Sequence, residues 1–165
     1  MKRILIIGLG NPILGDDGVG WRIADEVNQW LPTAEDIVKT AVEVECASLG
    51  GLSLMERMIG YEKVILIDAL KSGLYPVGTI REFPLAELPD PSAGHSASPH
   101  DTTLLNALNT GKTMGITLPS SITVLAIETL NCNEFSEILS PPISAAIPAV
   151  VDHVKTILRM MLDEE

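Results

Sequence analysis

Ile4-Leu5-Ile6-Ile7-Gly8, followed by Leu9-Gly10-Asn11-Pro12 and then by Val19, Ile23, Val27 and Leu31, is the stretch that decides the architecture. The aliphatic run has no polar alternation, which is the mark of a strand covered by helices on both faces rather than one with a wet side. Gly8 ends it. The later apolar positions recur once per helical turn with Arg22, Asp25, Glu26 and Gln29 between them, so an amphipathic helix follows and stops before Pro32. A buried strand feeding such a helix is the first βα unit of a parallel sheet.

Working outward, Val42 to Ala47 alternates apolar residues with Glu43 and Glu45, which predicts a half-exposed strand, and Ser48-Leu49-Gly50-Gly51 turns into a short helix over Leu52 to Met58. Val64 to Ile67 is a second buried run, stopped by Asp68. Thr79 to Phe83 follows the turn residues Pro76 and Gly78 too soon for a crossover helix, so this strand is expected to run antiparallel. Leu85 to Pro99, rich in Pro, Ser, Ala and Gly, reads as an exposed loop. Asp101 or a nearby Ser is the candidate cap of a helix carrying Leu104, Leu105 and Leu108. Ile122 to Ile127 is the last strand. After a loop containing Pro141 and Pro142, the positions Ile143, Ile147, Val150, Val151, Val154, Ile157, Leu158 and Met161 mark a closing helix, which Pro148 either kinks or starts in its main part. With no repeat and no interior linker, residues 1–165 are expected to form one domain. Its class is α/β: a three-layer sandwich around a mostly parallel sheet of about five strands, one of them antiparallel.

The 165 residues carry 11 Lys+Arg against 22 Asp+Glu, a net charge of −11 at pH 7. A surface of that sign cannot replace the counterions of nucleic-acid phosphate or of an anionic bilayer, so neither is an expected partner. With 46% of residues apolar the chain can bury a core, which excludes a disordered polymer. Cys46 and Cys132 have no second Cys near either, against a redox pair or a thiolate zinc site, and are expected as buried free thiols. The first apolar run is too short for a signal-peptide core or a membrane span, so a cytoplasmic protein is expected.

Ligands in such sheets gather beyond the carboxyl ends of the strands. Two carboxylates follow the first strand in Gly15-Asp16-Asp17-Gly18, Asp68 ends the third strand, and His100 closes the long loop just before a helix. Parallel strands bring their C-terminal loops together, so Asp17 and Asp68 are expected near one another. A His beside two carboxylates suits a divalent metal such as nickel or zinc, and equally an acid–base group. Each Asp taken singly reads as a turn former or helix cap. His95, in the long loop, reads as solvated, and His153, in the closing helix, as a surface or boundary residue.

Gly8-Leu9-Gly10 after a strand has the start of a dinucleotide fingerprint, but the third glycine position is Ile13, and the two glycines are better read as permitting tight backbone turns. No Gly-x-Ser-x-Gly elbow, His-Glu-x-x-His helix or P-loop Lys is present.

The run Gly8-Leu9-Gly10-Asn11-Pro12-Ile13-Leu14-Gly15-Asp16-Asp17-Gly18-Val19-Gly20, with Val64-Ile65-Leu66-Ile67-Asp68-Ala69, Ser98-Pro99-His100-Asp101 and, more weakly, Ile138-Leu139-Ser140-Pro141, resembles the hydrogenase maturation endopeptidases. These trim the C-terminal extension of the large subunit of nickel-iron hydrogenases. The resemblance implies a five-stranded sandwich with an antiparallel member and metal ligands at Asp17, Asp68 and His100. Many relatives have Glu where this chain has Asp17. It further implies that nickel arrives with the precursor instead of residing in the protein, that no organic cofactor is held, and that the partner is the large-subunit precursor. Asp17, Asp68 and His100 are thereby the candidates for catalysis as well as metal binding. Gly10, Asn11 and Asp16, which border them, are expected to contact substrate. Since one precursor is processed at a time, a monomer is expected.

Two other readings use the same residues. Gly8 to Pro12 resembles the opening of peptidyl-tRNA hydrolases, but Ile13-Leu14-Gly15-Asp16-Asp17 follows and no His occurs before His95, while the charge suits tRNA poorly. A non-catalytic nickel checkpoint protein would use the same three ligands and needs no nucleophile.

Overall fold

The structure, a computed structural model, describes residues 3–35, 37, 41–87 and 99–164, without the side chains of residues 41 and 99–103. Strand β1 (Arg3–Leu9) leads through a 3₁₀ turn at Gly15–Gly18 into helix α1 (Val19–Trp30). Then come β2 (Ala41–Ala47), α2 (Gly51–Met58), β3 (Lys63–Leu70), β4 (Ile80–Pro84), α3 (Pro99–Thr113), β5 (Ser121–Glu128) and α4 (Pro141–Asp163). The five strands form one sheet in the order β2-β1-β3-β5-β4. Every pairing is parallel except β4 with β5, so the expected antiparallel strand is present and lies at an edge. Pro84 is tolerated there because an edge strand has a side that needs no ladder donor.

The aliphatic runs that announce β1 and β3 are divided by the two-residue period of a strand. Ile4, Ile6, Ile65, Ile67, Leu125 and Ile127 pack with α1 and α4 on one face. Leu5, Ile7, Val64, Leu66, Val124 and Ala126 pack with α2 and α3 on the other. Each such side chain contributes about 1.5–3 kcal/mol by leaving water, which is why the runs Ile4–Ile7, Val64–Ile67 and Val124–Ile127 are unbroken by a polar residue. β2, at the opposite edge, keeps the expected alternation: Glu43 pairs with Arg3 at 2.8 Å and Glu45 with Arg57 at 3.6 Å.

The closing helix corrects one expectation. Pro141 and Pro142 belong to its first turn, where a missing N–H costs nothing because no intrahelical partner exists. Pro148 stands inside the helix and does not start it; the buried stripe Ile143, Ile147, Val150, Val151 and Val154 runs through that point and holds the turn that lacks a donor. The expected loop over Leu85 to Pro99 begins with a 3₁₀ turn at Leu85–Glu87, and residues 88–98, with His95, lie outside the described residues; Pro99 already belongs to α3, so Asp101 stands inside the helix and does not cap it. No helix among the described residues is long and apolar enough to cross a membrane.

Candidate active site

The chain leaves β1 at Gly10 with φ +127°, a conformation closed to side chains, and the space a Cβ would occupy is taken by the Asp17 carbonyl oxygen, 2.0 Å away. The turn from Asn11 to Asp17 therefore folds back onto the strand exit. Inside it the Asn11 carbonyl accepts from Leu14 N–H (3.1 Å) and the Leu14 carbonyl from Asp17 N–H (3.2 Å). Asn11 Oδ1 accepts from Ile13 N–H at 3.1 Å, and Asn11 N–H donates to Asp17 Oδ2 at 2.8 Å. Asp17 is thus aimed by the turn that carries it.

Asp68 lies in β3 beside Ala126 of β5, partly buried, and its Oδ1 accepts the N–H of Ala69 at 2.8 Å. The β1–β3 register sets Gly8 against Ile67, so Asp68 stands one step further along, level with the exit of β1. Gly20, in the first turn of α1, closes the junction: a Cβ there would lie 2.4 Å from the Leu9 carbonyl oxygen and 2.5 Å from that of Ile67. Only glycine lets α1 rest on both strand ends. The Asp17 turn and the Asp68 strand end therefore share the carboxyl edge, where Asp68 lines a small recess with Leu9, Ala69, Leu70, Phe83 and Leu85.

His100 is the second residue of α3, and its side chain lies outside the described residues. Its place in the topology follows from length. α3 ends at Thr113, residues 114–120 lead to the start of β5 at the amino edge, and fifteen helical residues rise about 22 Å back toward the carboxyl edge. Among the described residues, which include the two aspartates and not the side chain of His100, no three His, Cys, Asp or Glu side chains form a cluster that would hold a metal.

Asp16 behaves differently from its neighbour. It is fully buried, and its carboxylate accepts from Ser140 N–H (2.7 Å), Ser140 Oγ–H (2.9 Å) and Asn131 N–H (3.4 Å). Those partners belong to the β5–α4 connection and to the residue that caps α4, so whatever Asp16 does for a substrate runs through the turn it fixes. Sequence reasoning missed Glu128, which is buried at the end of β5 and receives Ser72 N–H (2.9 Å), Ser72 Oγ–H (2.8 Å) and Gly73 N–H (2.8 Å), holding the loop after β3. The available signal was a carboxylate ending an apolar run, the same one that marks Asp68.

Both cysteines are free and half-buried, where full burial was expected. Burial pushes the Cys132 thiol above its ordinary range; the Thr129 hydroxyl at 3.0 Å opposes this, and the charges of Asp17 and Asp16 add to it. Cys46 is pushed up to about 11 by burial and by Asp25. Neither is poised as a thiolate nucleophile. His153, on α4, takes up the carboxylate of Glu82 at 2.7 Å, a link to the edge strand β4.

Comparison with known proteins agrees with this architecture. The chain is 25% identical over 157 residues to the hydrogenase expression/formation protein HupD of Rhizobium leguminosarum, covering 95% of this chain and 74% of that protein. It is 28% identical over 157 residues to the hydrogenase 2 maturation protease of Escherichia coli, covering 95% and 91%. The solved hydrogenase maturating endopeptidase HybD from E. coli superposes with a TM-score of 0.75 at 26% identity, over 97% of this chain and 94% of that one. The family model described as hydrogenase maturation protease matches residues 38–157, a span that includes Asp68 and His100, and the chain belongs to that family of endopeptidases.

Proposed function

We propose that this protein removes the C-terminal extension from the nickel-loaded large-subunit precursor of a nickel-iron hydrogenase, recognising the substrate's nickel through Asp17, Asp68 and His100. The observation that carries the reading is the shared edge: Gly20 seats α1 against the Leu9 and Ile67 carbonyls, so the Asp17 turn and the Asp68 strand end are held side by side by backbone. The imidazole is a donor that suits nickel, the two carboxylates offset its charge, and three ligands leave coordination positions for the groups the precursor already provides. In this scheme Asn11 N–H and Ala69 N–H orient the two carboxylates, Gly10 and Asn11 form the rim met by substrate, and Asp16 keeps the turn in place. The Cys132 thiol, raised by burial, is a poor thiolate nucleophile at neutral pH. The enzyme acts as a monomer on one precursor at a time.

The test is the release of the C-terminal peptide by Asp17→Asn, Asp68→Asn and His100→Ala variants, followed by intact mass. Loss of a ligand is expected to slow release by on the order of 100-fold or more, with circular dichroism unchanged. Full activity in all three would remove these residues from the site.

A further inference from the structure

The segment joining β5 to α4 holds Leu130, Phe135 and Ile138 in solvent at 67%, 86% and 80% exposure, and Ile13, on the turn after β1, is 45% exposed. Single exposed apolar side chains are ordinary, whereas a group of them on one ordered ledge marks a contact surface. This ledge is built by hydrogen bonds. Leu14 and Ser136 form a parallel bridge, Gly15 N–H donates to the Ser136 carbonyl (2.8 Å), and Ser136 N–H donates to the Ile13 carbonyl (3.0 Å). Asp16 N–H reaches the Asn131 carbonyl at 2.8 Å, and the buried Asp16 carboxylate clamps Ser140 beyond. Phe135 and Ile138 are therefore held outward by a fixed backbone.

Within the two segments that build the ledge the charge is negative only, with Lys71 near Cys132 the cation that reaches it from outside them. Neither Gly10 to Gly20 nor Thr129 to Ser140 contains a Lys or Arg, while Glu134 and Glu137 are exposed beside Phe135 and Ile138. Apolar knobs with an acidic rim are complementary to an apolar segment set between basic residues.

We propose that this ledge is the docking surface for the body of the precursor protein, taking an apolar segment flanked by Lys or Arg, with Phe135 as its main anchor. The inference rests on the protease reading above and adds the second point of contact that reading lacks. Because Asp16 is clamped into the ledge and Asp17 follows it in the same 3₁₀ turn, a partner seated on Phe135 is held in register with the carboxylate that meets the metal.

The experiment titrates purified nickel-loaded large-subunit precursor against the full-length protein, reading binding by calorimetry and cleavage by intact mass. Wild type is compared with Phe135→Ala/Ile138→Ala and with Glu134→Lys/Glu137→Lys. The apolar variant is expected to raise Kd and KM by about ten-fold while kcat at saturating precursor stays within about two-fold, with an unchanged melting temperature because both side chains are exposed. The charge-reversed variant, which leaves the apolar contacts in place, is expected to weaken binding at low salt and to lose the salt dependence seen for wild type. Wild-type Kd and KM in both variants, alongside a wild type that cleaves, overturns the docking surface and leaves the protease reading intact. Self-association that depends on Phe135, with precursor binding unaffected, assigns the ledge to a second copy and also overturns it. A wild type that binds through the ledge without cutting supports the docking surface and removes the protease reading, and one that neither binds nor cuts removes both.

Discussion

Asp16 and Asp17 are adjacent and chemically identical, yet one is sealed in the interior against Ser140 and the other is aimed at the strand edge by Asn11. Nothing in the local sequence separates them, because the difference is a partner lying more than a hundred positions away. Asp17 and Asp68 were expected near one another because parallel strands bring their C-terminal loops together, and both lie toward that edge of the sheet. Glu128 ends an apolar run as Asp68 does and was overlooked, since its role is to receive the Ser72–Gly73 loop. At this scale the testable residue is Cys132, electrostatic neighbour to Asp17. A thiol whose pKa is raised stays protonated at neutral pH, so Cys132→Ser is expected to leave the rate of peptide release within about two-fold of wild type. Alkylation of the native cysteines should rise about tenfold per pH unit through the alkaline range, for Cys46 up to about 11. Loss of release in the serine variant, or alkylation already complete at neutral pH, would make Cys132 a nucleophile.

Elements were readable where their chemistry is local. The strands, the amphipathic α1 and the apolar stripe of α4 follow from period alone, and β4 from its lack of room for a crossover helix. The start of α4 was not readable, because two prolines suit a loop and a first helical turn equally well. What decides between them is the clamp from the Asp16 carboxylate to Ser140, the residue that caps the helix. That clamp couples the turn after β1 to α4, and its removal strands buried donors. Asp16→Ala is expected to cost about 3 kcal/mol in urea unfolding, with Asp16→Asn, which keeps one acceptor, costing less. A change below about 0.5 kcal/mol in the alanine variant would show that the turn holds without it.

The whole molecule depends on which strands pair, and here the sequence was least explicit. Parallel connection rules gave a sandwich with its chemistry at the carboxyl edge, but the order β2-β1-β3-β5-β4 rests on long-range packing that no local window contains. The position that a dinucleotide fingerprint reserves for a third glycine holds Ile13, whose side chain lies on the exposed ledge. Membership of the hydrogenase maturation protease family takes the place of the peptidyl-tRNA hydrolase alternative, and a charge of −11 is in keeping with a protein partner and with a cation carried in by it. In the proposed reaction the metal is part of what is recognised. The most direct measurement is the intact mass of the large-subunit precursor after incubation with this protein, with and without nickel loaded beforehand. Loss of a short C-terminal peptide from the nickel-loaded precursor alone is the predicted result; equal cleavage of the nickel-free precursor, or an unchanged mass in both, would contradict it.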